Sequence, residues 1–398
     1  MPTPAPAPGA VLLGSDFKAL GVVRSLGRRG IPSVVIDNTP RSAWFSRYVV
    51  KRLPWEGQME GDAFLSFLLQ LAKDHRLDRW ILFPLQDEVV EFVSRNTQEL
   101  AKVYQLVTQS WDVIQWANDK RCTYRMAETL GVPYPKTCYP ASEADLETQE
   151  IVYPAIIKPA ISVHLQYAVR LKALPASTLD ELRAQYRLAA SIIPPDEIMI
   201  QEIIPGGGKE QFSVAAYCKD GRVLLSMTAR RTRQYPIDYG LGSSFVEAIE
   251  VPELLEPAKR LLEYMKVSGM VEVEFKQDPR DQLYKLLDIN VRPWGWHTLC
   301  AACGLDFSYI EYQDILGHAP GSITPRYGAH WVRLITDLPA GLQERRAGIT
   351  TLPAYLRSLT GKTVFSVFDW RDPMPALGDL FSALRRSRRS AHKQGATG

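Results

Sequence analysis

The sequence is poor in the features that usually assign a protein at sight. Its five cysteines, Cys122, Cys138, Cys218, Cys300 and Cys303, are odd in number and scattered. Cys300-x-x-Cys303 has a redox or zinc spacing, but no second such pair and no matched histidine pair accompanies it. A disulfide framework is excluded, and the thiols read as reduced groups of a cytoplasmic protein. No apolar run approaches the length of a transmembrane helix, so no membrane partner is expected. The opening residues, Pro2 to Gly9, hold neither a basic residue nor an apolar core. They read as an extended, disordered lead-in (1–10) and not as a signal peptide. Neither sign of charge dominates: 47 Lys and Arg stand against 44 Asp and Glu, a formal net charge of +3, which leaves no electrostatic case for a nucleic-acid partner. Only Arg385-Arg386-Ser387-Arg388-Arg389 concentrates charge, and it reads as a solvated tail. There is no internal repeat.

What is present is a globular chain of 398 residues, 46% hydrophobic and 23% charged, which is too long for one ordinary core and implies two or three domains. Val11-Leu12-Leu13, a helical spacing over Phe17 to Arg29, and Ser33-Val34-Val35-Ile36-Asp37 form a strand–helix–strand unit, the start of a parallel sheet. Gly14-Ser15-Asp16 lacks the G-x-G-x-x-G spacing, so a dinucleotide cradle is missing and an NAD-linked oxidoreductase is a weak alternative. A helix over Asp62 to His75, the strand Trp80 to Pro84 and a helix opened by Asp87-Glu88 complete a small α/β domain over 11–115.

Beyond it, Asn118-Asp119-Lys120 opens a helix and Tyr153 to Pro159 is a strand with Lys158 at its end. A helix spans Thr178 to Ser191, and the strand Ile198 to Ile204 runs into Pro205-Gly206-Gly207-Gly208. Gln211–Cys218 and Val223–Ala229 read as paired strands around Lys219-Asp220-Gly221. Val271, Val273 and Phe275 then alternate with Glu272, Glu274 and Lys276. After a polar turn, Leu287, Ile289 and Val291 alternate with Asp288, Asn290 and Arg292. A period of two on both sides of a turn is an antiparallel hairpin. In register it gathers Glu274, Asp288 and Asn290 on one face with Arg292 at the rim, while Glu272 reads as a solvated neighbour. Clustered oxygens repel one another unless a hard cation sits among them.

The order of these signals resembles the ATP-grasp superfamily, and the arginine- and glycine-bearing stretch Thr228 to Glu247 looks like the substrate-side loop of its carboxylate–amine ligases, including the D-aspartate ligase-like group. The likeness covers about 115–320. It implies a small parallel-sheet α/β domain followed by a two-lobed ATP-grasp module over 116–325 (lobes about 116–200 and 201–325) and a C-terminal extension over 326–398. By resemblance, Lys120 and Lys158 bind ATP phosphates. The backbone of Gln201, Glu202, Ile203 and Ile204 meets adenine, and Glu210 accepts the ribose hydroxyls. Glu274, Asp288 and Asn290 hold Mg²⁺, with Mn²⁺ as an alternative, and Arg292 supports the transferred phosphate. Asp288 stands where the family more often has glutamate. Ala160 to Gln166 has no glycine where many members carry a glycine-rich lid, so Ser162 and His164 are the side-chain donors there. Among Arg230, Arg231 and Arg233, the last is expected to hold an acid substrate.

The resemblance implies an ATP-dependent ligase. It joins a small carboxylate to an amine, both amino acids or amino-acid-like, through an acyl phosphate, and releases ADP and phosphate. The alternatives are a non-amine acceptor or a nucleotide-binding regulator with impaired catalysis. The C-terminal extension completes the acceptor pocket or mediates a homodimer.

Overall fold

The computed structural model describes residues 7–161, 173–237 and 242–381. His164, with Ser162 and Gly240, lies outside them. The leading domain is a five-stranded parallel sheet, in the order Val49–Pro54, Ser33–Asp37, Ala10–Leu13, Ile81–Pro84 and Gln105–Leu106. The inner strands are buried on both faces, which is why Val11-Leu12-Leu13 is uniformly apolar. Ala10 belongs to the first strand and the Pro8 carbonyl accepts a hydrogen bond from the Tyr312 hydroxyl at 2.6 Å, so the lead-in is shorter than 1–10. The helix Phe17–Gly27 begins where the Asp16 carboxylate accepts the amides of Lys18 and Ala19.

A four-stranded sheet comes next, ordered Thr137–Cys138, Ile198–Glu202, Ala155–Pro159 and Leu174–Ala176, and packed on the helix Leu179–Ala190 with Thr178 as its cap. The third sheet has seven strands: Tyr284–Asn290, Gly269–Gln277, Gln211–Lys219, Arg222–Tyr235, Gly242–Ala248, His330–Val332 and Thr363–Phe365. On one face lie the helices Trp111–Asn118, Lys120–Thr129 and Leu255–Met265. On the other, His297–Ala302 and Phe307–Ile315 lie between this sheet and the leading domain.

The boundary expected at 326 does not stand. His330–Val332 pairs with Gly242–Ala248, and Thr363–Phe365 pairs in parallel with His330–Val332, so the C-terminal segment completes the large sheet. The chain then returns to the leading domain. The buried Asp372 carboxylate accepts Arg24 at 3.0 Å, the Ser46 hydroxyl at 2.7 Å and the Arg47 amide at 2.9 Å. Sequence patterning gave no sign of this because the partners are more than 300 residues apart.

Candidate active site

The parallel-sheet domain, the small sheet and the large sheet meet around a cleft of about 760 Å³, within the range typical of small-molecule sites. The hairpin Gly269–Gln277/Tyr284–Asn290 forms one wall. Its register pairs Glu274 with Asp288 and Glu272 with Asn290, so all four side chains share a face, and all four line the cleft.

Each polar group on that face has partners. The Lys120 ammonium donates to Asp288 Oδ1 at 2.6 Å. Burial works against its charge, but the Asp288 carboxylate outweighs it and holds the lysine pKa above its ordinary value. The Asn290 amide donates to Glu272 and Glu274, both at 3.0 Å, and its carbonyl accepts from Arg292 at 3.2 Å. The Lys158 ammonium lines the same cleft and donates to Gln201 Oε1 at 2.9 Å. Gln201 donates in turn to the Thr137 hydroxyl at 2.9 Å.

Glu272 is a correction. It is not solvated: only 2% of the residue is exposed, and it accepts the Trp296 indole N–H at 2.7 Å as well as the Asn290 amide. Burial, reinforced by the neighbouring Glu274 charge, pushes its pKa up to about 8.

Arg292 is held from outside the hairpin. Its guanidinium forks onto Asp87, with Nε at 2.6 Å and Nη2 at 2.7 Å from the two carboxylate oxygens. Burial opposes the Asp87 charge, yet Arg292 and then Lys18 and Lys120 keep that carboxyl well below the usual range. Asp87 looked like an ordinary acid in the first turn of a helix, and its role depends on the leading domain folding over the hairpin. Asp16, Lys18 and Arg41 of that domain also line the cleft.

Other expectations need correction. Arg233 does not reach the cleft. It is buried and forks onto Asp337 at 2.9 Å through Nε and Nη2, with the Phe245 and Tyr355 rings 4.1 and 4.9 Å from its guanidinium carbon. Irregular register between Arg222–Tyr235 and Gly242–Ala248 around Arg231 and Arg233 accompanies this. Arg231 lines the cleft instead and donates to Glu274 Oε2 at 2.9 Å.

At the strand Ile198–Glu202 and beyond, Gln201, Glu202, Ile203 and Ile204 line the cleft, with the amides of Glu202 and Ile203 committed to the Lys136 and Pro154 carbonyls, both at 2.9 Å. The Glu202 carboxylate accepts Arg280 at 2.6 Å, tying this strand to the hairpin turn. The Ile204 carbonyl accepts the buried Lys276 ammonium at 2.8 Å, as does the Gly206 carbonyl. Glu210 turns back to accept the Gly207 amide at 2.7 Å, so it closes the glycine loop and does not present an acid to the cleft. Gly206, at φ +92, adopts a left-handed backbone that a side chain would strain, and a Cβ there would push on Glu210 Oε2 at 2.8 Å. Trp294 and Trp296 line the cleft, whereas His297 packs against the Lys18 carbonyl at 3.1 Å, and burial lowers its pKa to about 4.

Among the described residues no cluster of three or more His, Cys, Asp or Glu side chains forms a ready metal cage. The donors on the hairpin face are two carboxylates, Glu274 and Asp288, and the amide of Asn290. These are hard oxygen ligands of the kind Mg²⁺ takes when phosphate oxygens complete its shell, so the residues fit such an ion.

The fold of this chain, a parallel-sheet domain joined to a small and a large sheet around a cleft, is shared with solved enzymes. The biotin carboxylase from Campylobacter jejuni, in its β,γ-ATP complex, superposes with a TM-score of 0.65 at 16% identity over 81% of this chain and 74% of that one. The L-amino acid ligase from Bacillus licheniformis gives 0.62 at 14% identity over 80% and 77%. The family described as "ATP-grasp in the biosynthetic pathway with Ter operon" matches residues 195–337. The chain is therefore similar to ATP-grasp proteins of the carboxylate–amine ligase group. A D-aspartate ligase from Enterococcus faecium (strain Aus0004) is 26% identical to this chain over 326 residues, 78% of this chain and 77% of the ligase. No helix among the described residues is long and apolar enough to cross a membrane.

Proposed function

We propose that this protein joins a small carboxylic acid to an amine at the expense of ATP, through an acyl phosphate, and that both substrates are amino acids or close relatives of them. The observation that carries the reading is the convergence of Lys120, Lys158 and Arg292 on the hairpin face that bears Glu274, Asp288 and Asn290. Lys120 and Lys158 are compact cations that neutralise phosphate oxygens. Arg292, oriented by Asp87, presents a fork to the transferred phosphoryl group. When bound at Glu274, Asp288 and Asn290, Mg²⁺ supplies charge neutralisation on the phosphate oxygens.

A carboxylate oxygen of the acid attacks the γ-phosphorus, and the bond to ADP breaks. The amine nitrogen then attacks the acyl carbon, inorganic phosphate leaves, and the amine loses a proton. The chain's task is to hold the reactants in line and keep water out; Trp294 and Trp296 wall the cleft beside the carboxylates. The D-aspartate ligase relative makes D-aspartate and other amino acids the first substrates to try.

The test is a phosphate-release assay over a panel of acids and amines. Release that requires both supports the ligase. Release with an acid alone, or ATP binding without turnover across the panel, overturns it in favour of a non-amine acceptor or of a nucleotide-binding regulator.

A further inference from the structure

The segment after the last strand has its polarity turned inside out. Its helix, 374–381, faces the leading domain with Gly378 and Asp379. A Cβ on Gly378 would lie 2.2 Å from the Phe45 ring, and Asp379 accepts the Ser42 hydroxyl at 3.1 Å and Arg333 at 3.3 Å. The polar residues thus fix the helix to the protein. The opposite face carries Met374, Leu377 and Leu380, spaced three apart and therefore on one side of the helix, and each is more than half exposed. Phe368 and Trp370, just upstream, are also more than half exposed, and Trp370 reaches 74% with Arg371 stacked over its ring at 5.0 Å. Apolar side chains gathered on one outward face mark a contact surface.

The sequence C-terminal to this helix sets the chemistry of the occupant. Residues 382–398 contain Arg385, Arg386, Arg388, Arg389 and Lys393 and no acid, so the chain's net charge of +3 resides at this end and the remainder is slightly acidic. Exposed Leu, Met, Phe and Trp next to concentrated Arg and Lys is the composition of interfacial segments that lie on anionic lipid. A second copy of the chain fits less well, because it would bring two such cationic segments together. We propose that the face formed by Phe368, Trp370, Met374, Leu377 and Leu380 docks the protein onto an anionic membrane surface. This departs from the absence of a membrane partner expected from the sequence, which concerned spanning helices only.

The test is flotation of the full chain with vesicles of phosphatidylcholine alone and of phosphatidylcholine with about one-third phosphatidylglycerol. Capture by the anionic vesicles at least about 10-fold above the neutral ones, lost at about 0.5 M salt, is expected. Leu377→Glu with Leu380→Glu should lower capture about 10-fold while thermal melting and ATP binding stay as in the parent, since both positions point away from the packed face. Arg385→Ala with Arg386→Ala should reduce capture and its salt dependence. Equal capture by both vesicles, no capture by either, or a concentration-dependent dimer in sedimentation that Leu377→Glu abolishes would each overturn the proposal, the last in favour of a self-association face.

Discussion

Arg231 and Arg233 lie two residues apart on one strand, and each pairs with a carboxylate at 2.9 Å. Arg231–Glu274 stands in the wall of the cleft. Arg233–Asp337 is sealed: the Asp337 side chain is fully buried and also accepts the hydroxyls of Ser244 at 2.9 Å and Tyr355 at 3.1 Å. The same chemical pair therefore faces a cleft at one position and is sealed inside the fold at the other. What separates them is the break in register beside them and the packing of the C-terminal helix Leu334–Arg346 over the second. A buried ion pair is only a modest stabiliser, but removing one partner strands the other without water. An open pair is weak for stability and matters through what it orients.

The largest expected effect is on the sealed pair. Asp337→Ala leaves the Arg233 guanidinium buried without its carboxylate and should cost about 3–5 kcal/mol in chemical denaturation, with substrate KM unchanged in whatever remains folded. A loss below about 1 kcal/mol would show that the pair is not structural. On the open side, Asp288→Asn removes the charge facing the buried Lys120 and should lower phosphate release about 100- to 1000-fold, with a smaller loss of stability than Asp337→Ala because Asp288 itself is partly exposed. Arg231→Met acts one step further from the reacting atoms, through Glu274. It should weaken Mg²⁺ dependence or activity about 10- to 100-fold, and an equal loss on Arg233→Met without unfolding would erase the distinction between the two arginines.

The smallest effect contrasts Asp337 with a buried carboxyl that has no arginine. Glu311 Oε1 accepts the Met270 amide at 3.1 Å, Oε2 has no hydrogen-bond partner, and burial raises the pKa to about 8. The folded state therefore holds a proton that the unfolded chain releases near pH 4.5, so Glu311 makes stability fall as pH rises from about 4.5 to about 8. Glu311→Gln should gain on the parent by about 1 kcal/mol or more over that window in melting experiments. An unchanged difference between the two proteins from pH 5 to 8 would refute the assignment.

Local pattern carried much of this protein. The alternation over Val271 to Arg292 located the hairpin, its register and its acidic face, because strand period and turn chemistry are properties of adjacent residues. The capped helices were legible for the same reason: Asp16 and Thr178 satisfy amides within three positions of themselves. The lysines at 120 and 158 stood out only as members of an ordered series.

The partners of those residues were decided by tertiary structure. Asp87 and Arg292 are separated by 205 positions, and Arg233 and Asp337 by 104. No spacing rule reaches that far, because such pairs depend on how one domain closes on another. The burial of Glu272 belongs here too: alternation placed it on the polar face, but only the Trp296 indole, brought back by the chain after the hairpin, removes it from water. The sequence by itself determined which residues line up along a strand or begin a helix, since that is a matter of backbone geometry. Which of them face a ligand, a buried partner or solvent was decided by the packing of three sheets, where desolvation sets the worth of every charge.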